Sequence, residues 1–348
     1  MPEQVDIHTD CGALEDEWDA LALEMEASPF LRPGWVCAWW RAFGDGPLQV
    51  LALRRDHRLA GVLAVSSGGL IRSPTNWHTP VFGPVVADRE AARRLIEALY
   101  EQGPRRIMLS FLDPAAPGLE ELRATAGRYR LAERVVMKSP YVSVEGDWED
   151  YFAGLSSKLR QNIRRRRRRL AERGEVELQV TRGAANLDSL LDEAFEVEAS
   201  GWKGKEGTAI RSEEGTRRFY QEVAHWAGAA GLLELVLLRV DSRLLAFQYA
   251  LVANGAYHLV KMGHDARYRS LGAGTVLTSE MLERTFRIGL QSYEFLGGPE
   301  PYKLQWATGH RERIEAQAFA PTLRGTAERL IQTRGRALAR RALSVRRR

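Results

Sequence analysis

The sequence predicts an α/β protein built from two similar domains, and two observations support this fold class. Stretches with the three- and four-residue apolar spacing of helices alternate along the chain with short apolar runs typical of strands. In addition, the segments LQVLALRRDHRLAGV from Leu48 and LELVLLRVDSRLLAF from Leu233 share a pattern at a constant offset of 185 residues. The matched residues are Arg54, Asp56, Arg58 and Leu59 in the first segment and Arg239, Asp241, Arg243 and Leu244 in the second.

Each of these segments predicts a β-hairpin, because two apolar strands flank a polar turn, DHR or DSR. Two helical stretches precede each hairpin, and a strand, a helix and a further strand follow it. This repeated order predicts an internal duplication. We therefore expect one domain over residues 1–146, a second over 147–323, and a basic helix or tail over 324–348.

The composition is that of a soluble globular protein, since the 348 residues are 45% apolar and 27% charged. No apolar run approaches the ~18 residues of a membrane span, and the start, MPEQVDIHTD, lacks the features of a secretory signal. We therefore expect a cytoplasmic protein. Cys11 and Cys37 form no C-x-x-C pair, and the seven histidines lack metal-ligand spacing, so we predict neither a disulfide framework nor a metal site.

The net charge of +5 hides an uneven distribution along the chain. Residues 158–173 and residues 324–348 each carry +8, which leaves −11 on the remaining residues. Two basic patches on an acidic body favour local recognition of phosphate over a nucleic-acid binder that is basic throughout.

The first basic segment contains six consecutive arginines, from Arg164 to Arg169. Apolar residues around them recur at helical intervals and predict a helix that stops near Gly174. These apolar residues are Leu155, Leu159, Ile163 and Leu170. Because six successive helical residues point all round the axis, we expect most of the arginines to be solvated and one or two to point inward. The second basic segment predicts either an amphipathic helix for an anionic membrane surface or RNA, or a solvated terminus.

The most informative loop is RSLGAGT, residues 269–275, which lies between a predicted strand and a predicted helix. A glycine-rich turn that opens a helix lets backbone N–H groups approach an anion, and the helix dipole adds to the attraction. At the corresponding place in the first copy, Asp88 and Glu90 would occupy the helix start and repel a phosphate. We therefore expect only the second copy to bind an anion.

The motif R-x-x-G-x-G in this loop resembles the acyl-CoA binding motif of GNAT N-acyltransferases. Over roughly residues 20–320, the chain resembles the tandem-GNAT group, which includes Fem-type peptidyltransferases and the CelD-like acetyltransferases found near polysaccharide-biosynthesis enzymes. The likeness is carried by PFLRPGWVCAWWRAFG, SSKLRQNIRRRRRRLAERG, EASGWKGKEGTAI, GAGTVL and EPYKLQWATG.

This resemblance implies two GNAT-like folds, each a mixed, mostly antiparallel sheet flanked by helices. It implies an acyl donor, acyl-CoA, on the second fold and an acceptor in a cleft between the two. The residues that it assigns to the donor are Arg269, Gly272, Ala273, Gly274 and Thr275. It also implies that backbone N–H groups of the strand HLVKMG bind the oxyanion.

Direct transfer of an acyl group to an amine needs a base and a proton for the leaving group. Near the end of the strand AYHLVKMG, the candidate bases are His258, His264 and Asp265, and a further candidate, Glu198, lies in EVEASGWKG. The alternative for each histidine is a structural role with satisfied hydrogen bonds.

The segment PYKLQW contains two more catalytic candidates, Tyr302 and Lys303. The resemblance to Fem-type enzymes implies that Lys303 lies near the reacting carbonyl, where its charge would stabilise an oxyanion. Tyr302 would protonate the leaving thiolate. The alternative is a surface lysine beside a packed tyrosine.

Two segments are candidates for binding the acceptor. One is a glycine-flanked loop that offers an aromatic platform and two cations, Trp202, Lys203 and Lys205. The other is SPTNWHTPVFG, in which Asn76 and His78 would form a facing wall, whereas we expect Trp77 to be packed in the core.

Three functional interpretations remain open at this point. The first is an acyl-CoA-dependent N-acyltransferase acting on an amino sugar, an amino acid or a related metabolite. The second keeps the fold but uses aminoacyl-tRNA as the donor, with Arg160 and the run Arg164 to Arg169 holding RNA phosphates. The third is a non-catalytic GNAT-like scaffold that binds a partner through its basic tail.

Overall fold

The structure is a computed structural model that describes residues 4–183, 185–201 and 210–331. Its strands are β1 (Gln4–His8), β2 (Leu48–Arg55), β3 (Arg58–Ser66), β4 (Leu70–Arg72), β5 (Val85–Val86), β6 (Arg106–Leu112), β7 (Arg130–Ser143), β8 (Val176–Thr181), β9 (Leu233–Val240), β10 (Arg243–Ala253), β11 (Ala256–His264), β12 (Ser292–Glu294) and β13 (Gly309–Phe319). Its α-helices are α1 (Glu15–Glu24), α2 (Pro33–Phe43), α3 (Arg89–Glu101), α4 (Leu119–Ala124), α5 (Trp148–Gly154), α6 (Ser157–Ala171), α7 (Leu187–Ala199), α8 (Glu214–Ala229), α9 (Ala273–Arg287), α10 (Pro301–Leu304) and α11 (Leu323–Leu330).

The described chain divides into two compact units. The first unit consists of residues 4–40, 44–137 and 312–331. The second consists of residues 41–43 and the described part of 138–311. The domain boundaries that we placed at residues 146 and 323 follow the sequence duplication. They stay a prediction.

In the first unit the strands lie in the order β1, β2, β3, β4, β6 and β13, with β5 beside β3. Strands β4 and β6 are parallel, and the other pairs are antiparallel. Residues of the hairpin alternate between two apolar cores: Val50 and Ala52 pack with α1 and α2, whereas Leu51 and Leu53 pack with α3 and α4. The sheet is therefore covered on both faces, which explains its nearly continuous apolar strands.

In the second unit the order is β8, β9, β10, β11, β12 and β7. Strands β11 and β12 are parallel, and the other described pairs are antiparallel. One face packs against α6 and α9 through residues such as Ile163 and Leu277. On the other face, Tyr220 of α8 makes an edge contact with Tyr249 of β10 at a ring distance of 5.9 Å. The predicted fold class, mixed and mostly antiparallel sheets flanked by helices, is confirmed.

The predicted internal duplication is confirmed by backbone details that recur at the offset of 185 residues. The hairpin turns have left-handed residues at Asp56 and His57, with φ of 50° and 66°, and at Asp241 and Ser242, with φ of 45° and 66°. Each such pair is typical of a two-residue type I′ turn. The bulges in the two hairpins and the parallel rungs Ile71 to Ile107 and Ala256 to Ser292 also correspond.

The final strand of each sheet also follows a common plan. In the first unit β13 pairs with β6, and Ala318 lies opposite Ile107. In the second unit the end of β7 pairs with β12, and Ser143 lies opposite Ser292. The second half of the sequence thus supplies the last strand of the first unit, and the first half supplies the last strand of the second unit. For this reason each compact unit is discontinuous along the chain.

Candidate active site

The glycine loop of the second unit opens helix α9 as the sequence predicts. A 3₁₀ turn, Ala266–Leu271, leads to Gly272, whose φ of 68° lies in the left-handed region that favours glycine. Gly272 is the N-cap of α9, and its carbonyl accepts from the N–H groups of Thr275 and Val276 at 3.0 and 3.3 Å. The first N–H groups of a helix have no acceptor within it. The amides of Ala273 and Gly274 are therefore oriented to receive an anion.

Arg166 of α6 lies against this loop, a contact that the sequence did not predict. Its guanidinium donates a hydrogen bond to Thr275 Oγ1. A Cβ atom on Gly272 would collide with the same guanidinium, so glycine is needed for this approach as well as for the backbone. Burial, together with the nearby Arg165 and Arg169, lowers the pKa of Arg166. Among the described residues no carboxylate pairs with it, so the loop carries an unbalanced positive charge.

The other arginines of the run divide as predicted between buried and solvated positions. Arg167 is half-buried and binds Glu280 and Glu283 of α9 at 2.9 and 3.1 Å. Four arginines of the run are exposed: Arg164, Arg165, Arg168 and Arg169. Leu159, Ile163 and Leu170 are buried on α6 as predicted. Leu155 is buried too, but it was wrongly assigned to this helix, because it lies in the turn after α5.

In the first unit, the equivalent helix start is occupied by the protein itself. Asp88 is the N-cap of α3 and accepts from the N–H of Ala91 at 2.8 Å. A hydrogen bond from Arg55 and the one from Ala91 lower the pKa of this carboxyl. A negative charge therefore already stands where a phosphate would bind.

Strand β11, which leads to the loop, is irregular at its centre. Tyr249 of β10 lies opposite Lys261 and Ala250 lies opposite Leu259, so Val260 is an extra, bulged residue. Along its other edge, the described pairing with β12 covers only Ala256 to His258. Beyond His258 the backbone groups of β11 on that edge are not used by the ladder with β12. The N–H groups on that edge are the ones to which the resemblance assigned binding of the oxyanion.

The candidate bases lie at different places along β11. A Cβ on Gly274 would lie 3.7 Å from His264 Nδ1, so His264 packs beside the glycine loop. Glu198 of α7 is 4% exposed and lies against Gly263 on the opposite face of the strand. His258 is opposite Glu294, at the far end of the strand and about 20 Å from His264 at ~3.3 Å per residue. The structure thus brings His264 and Glu198, but not His258, close to the loop end of β11.

Asp265 stabilises the backbone of the loop rather than binding a substrate. Its carboxylate accepts from the backbone N–H and the guanidinium of Arg267 at 2.9 and 2.6 Å, and its own N–H donates to the Leu245 carbonyl. Arg267 holds the pKa of this carboxyl below its usual value.

Lys303 has an ammonium group that is already engaged by its surroundings. The residue is 6% exposed, and Nζ donates to the carbonyls of Leu296 and Gly298 at 2.6 and 3.3 Å. A salt bridge to Glu300 at 2.8 Å completes the set. Tyr302 is 45% exposed as a residue, yet desolvation raises its pKa above the usual range, so its hydroxyl stays protonated.

In the first unit, the acceptor candidates form a small turn. Asn76 Oδ1 accepts from Trp39 Nε1 at 3.0 Å and from the His78 N–H at 2.9 Å, which fixes the turn. His78 is buried, whereas Trp77 is 60% exposed and contacts His78 at a ring distance of 3.5 Å. Our prediction that Trp77 is packed was wrong, because the turn directs His78 inward and Trp77 outward. Trp202, Lys203 and Lys205 lie outside the described residues.

Comparison with known families identifies the second half of the chain. Residues 157–304, which include α6, β11 and the glycine loop, match a family described as an acetyltransferase (GNAT) domain. The second half of the chain therefore contains a GNAT acetyltransferase domain, and the protein is an acyltransferase. This finding favours the catalytic interpretations over a non-catalytic scaffold.

Solved structures with a similar fold extend the likeness over almost the whole chain. FemX aligns over 96% of this chain and 100% of its own, with a TM-score of 0.60 and 10% identity. The C-terminal domain of an Agrobacterium fabrum protein assigned as a lysylphosphatidylglycerol synthetase aligns over 92% and 95%, with a TM-score of 0.58 and 12% identity. L-PGS from Bacillus licheniformis aligns over 91% and 94%, with a TM-score of 0.57 and 10% identity. No curated protein matches the sequence.

Two structural features bear on metals and membranes. In the part of the chain that the structure describes, no cluster of three or more His, Cys, Asp and Glu side chains is arranged as metal ligands. No helix in that part combines the length and the apolar character needed to cross a membrane.

Proposed function

We propose that this protein transfers an acyl group from acyl-CoA to the amine of a small acceptor, such as an amino sugar or an amino acid. The observation that carries the proposal is the guanidinium of Arg166 beside the glycine cap of α9, which no carboxylate of the described residues pairs with. Helix-start amides together with a guanidinium suit the pyrophosphate of CoA, because charge-assisted hydrogen bonds to phosphate are strong. Arg269, Gly272, Ala273, Gly274 and Thr275 would complete this donor site.

In the proposed reaction the neutral amine attacks the thioester carbonyl directly. A carbon–nitrogen bond forms, the carbonyl oxygen becomes an oxyanion, and the carbon–sulfur bond then breaks. Backbone N–H groups of β11 beyond His258 would donate to the oxyanion. No covalent enzyme intermediate is needed, and both cysteines of the chain, Cys11 and Cys37, are buried in the first unit.

Two protons must move during this reaction. We propose Glu198 as the base that accepts the proton of the amine, because it is held against Gly263 at the loop end of β11 and already accepts from the Ile210 N–H at 2.9 Å. We propose Tyr302, which is 45% exposed and carries a phenol hydroxyl, as the donor of a proton to the leaving thiolate. Lys303 would act by holding the loop after β12 rather than by touching the carbonyl.

A second candidate is aminoacyl transfer from aminoacyl-tRNA. The name of the Agrobacterium fabrum neighbour states that it makes lysylphosphatidylglycerol, an aminoacylated lipid. The observation that favours this candidate is the exposed arginine set of α6, which would contact RNA phosphates.

The test is release of free thiol from acetyl-CoA in the presence of a panel of amines, by the wild type and two glycine variants. Gly272→Glu places a side chain and a negative charge in the donor loop, so we expect loss of measurable turnover. Gly289→Glu is the matched control, because Gly289 has a similar φ of 71° after the same helix, with open space around it. Equal losses in both variants would refute the donor site. Activity with charged tRNA alone, sensitive to ribonuclease and to salt, would establish the second candidate.

A further inference from the structure

The second unit contains a fully buried hydrogen-bond network that the reaction above does not use. Gln248 of β10 is 0% exposed, and its Oε1 accepts from the hydroxyls of Tyr257 and Tyr293, each at 3.0 Å. Its Nε2 donates to Thr278 Oγ1 at 3.4 Å. Thr278 Oγ1 in turn donates to the carbonyl of Gly274 at 2.9 Å.

This network joins two places that a donor thioester must reach at once. Tyr257 and Tyr293 are opposite each other in the short ladder of β11 and β12, just before these strands separate. Their rings are stacked at 4.8 Å. Gly274 lies in the first turn of α9, within the proposed phosphate site. One amide side chain therefore connects the place where the carbonyl would be held with the place where the pyrophosphate would be held.

The first unit shows that the fold does not require this network. At the offset of 185 residues, the position of Gln248 is taken by Leu63, which is 1% exposed in an apolar core. Tyr257 and Tyr293 correspond to Arg72 and Met108, and these positions form the same parallel rung. Yet the hairpin, its bulge and the parallel ladder are common to both units. A polar group buried at this position is therefore specific to the unit that has the glycine loop.

We infer that Gln248 is a positioning residue for the acyl donor: it fixes the first turn of α9 relative to the point where β11 and β12 separate. The inference rests on the proposed function, because it assigns a role within the same donor site. Gln248 itself touches neither the donor nor the acceptor. It acts through Thr278 and Gly274 on one side and through the two tyrosines on the other.

Thr278→Val, with Thr285→Val as a matched control, tests this inference. Both threonines are buried on α9 and donate to the carbonyl four residues earlier, but Gln248 reaches only Thr278. We expect Thr278→Val to speed hydrogen–deuterium exchange at Thr275–Thr278 in the ligand-free protein. We also expect it to weaken CoA binding roughly threefold to tenfold, the size of one hydrogen bond. Thr285→Val should change neither quantity.

A second variant tests the inference even if Thr278→Val alone changes neither exchange nor CoA binding. Gln248→Leu combined with Tyr257→Phe and Tyr293→Phe removes the network and leaves no buried partner unpaired, so the fold should be retained. We expect the KM for acyl-CoA to rise while kcat changes little. Unchanged exchange and unchanged KM in this variant would overturn the inference. Absence of CoA binding by the wild type would instead refute the proposed function, and the positioning role with it.

Discussion

Arg166 holds a positive charge at a position where no carboxylate of the described chain balances it. Its neighbour Arg167 is paired with Glu280 and Glu283. Of these two adjacent arginines on one helix, only Arg167 therefore has its charge balanced by described carboxylates. Burial and the neighbouring arginines lower the pKa of Arg166, which means that these surroundings disfavour its charged form. A bound phosphate would relieve this cost, and it would contact the guanidinium and the helix amides together.

We therefore expect Arg166→Ala to weaken acetyl-CoA binding by roughly tenfold or more, the effect of losing a hydrogen bond to a charged group. Arg165→Ala is the control, because the exposed Arg165 donates a hydrogen bond to Asn162, at 2.7 Å, rather than to the glycine loop. Calorimetric titration of both variants measures the difference. Equal affinities in the two variants would contradict the role assigned to Arg166.

Sequence patterns predicted the helix that contains Arg166 but not the function of this residue within it. The buried face of Leu159, Ile163 and Leu170 follows from spacing alone. The choice of Arg166 over its five neighbours depends on a contact with Thr275, 109 residues further along the chain. Lys303 is similar, because the segment PYKLQW does not reveal that the carbonyls of Leu296 and Gly298 take up its ammonium.

At the scale of secondary-structure elements, the connection from β11 to α9 determines the shape of the donor loop. Asp265 ends the strand, caps the 3₁₀ turn through the Arg267 N–H and is held to β10 by its own N–H. The sequence predicted this strand, loop and helix in order. It did not predict the bulge at Val260 or the early separation from β12, because both depend on pairing with strands that local spacing does not specify.

The lowered pKa of Asp265 makes the stability of this connection dependent on pH. Since the folded-state pKa lies below the unfolded value of about 3.9, the ionised carboxylate stabilises the fold above that pH. This contribution is lost as the pH falls through the folded-state pKa. We therefore expect the thermal midpoint of the wild type to fall more steeply below about pH 4 than that of Asp265→Asn. Parallel curves for the two proteins, followed by circular dichroism, would show that Asp265 contributes nothing.

At the scale of the whole molecule, a duplicated sequence has produced two units with different chemistry. Corresponding turns, bulges and ion pairs are retained: Arg54 binds Glu17 in one unit as Arg239 binds Glu193 in the other. The difference lies at the helix start, where Asp88 occupies one site and Gly272 leaves the other open. The sequence sufficed to predict both the duplication and this asymmetry.

The exchange of final strands was not predictable from the same patterns, because it joins segments far apart in the sequence. It leads to a prediction about truncation. A chain that ends at Arg311 lacks the buried residues Ala316, Ala318 and Phe319, so β6 loses its pairing with β13 and keeps only β4 beside it. Loss of a buried phenylalanine side chain alone costs ~3–5 kcal/mol, a large part of the ~5–15 kcal/mol that stabilises a domain.

We expect this truncated chain to lose the cooperative unfolding of the first unit, whereas a chain that ends at Pro321 keeps β13 and retains it. Hydrogen–deuterium exchange of β6 amides distinguishes the two chains. Protected β6 amides in the shorter chain would show that β13 is dispensable for the first unit.

The central claim is that the second unit alone binds one acyl-CoA at the start of α9. Calorimetric titration of the purified, nucleic-acid-free protein with acetyl-CoA, repeated on Gly272→Glu and Gly289→Glu, tests it most directly. We predict a single site per chain, abolished in Gly272→Glu and retained in Gly289→Glu. Absence of binding by the wild type, or undiminished binding by Gly272→Glu, would contradict the claim.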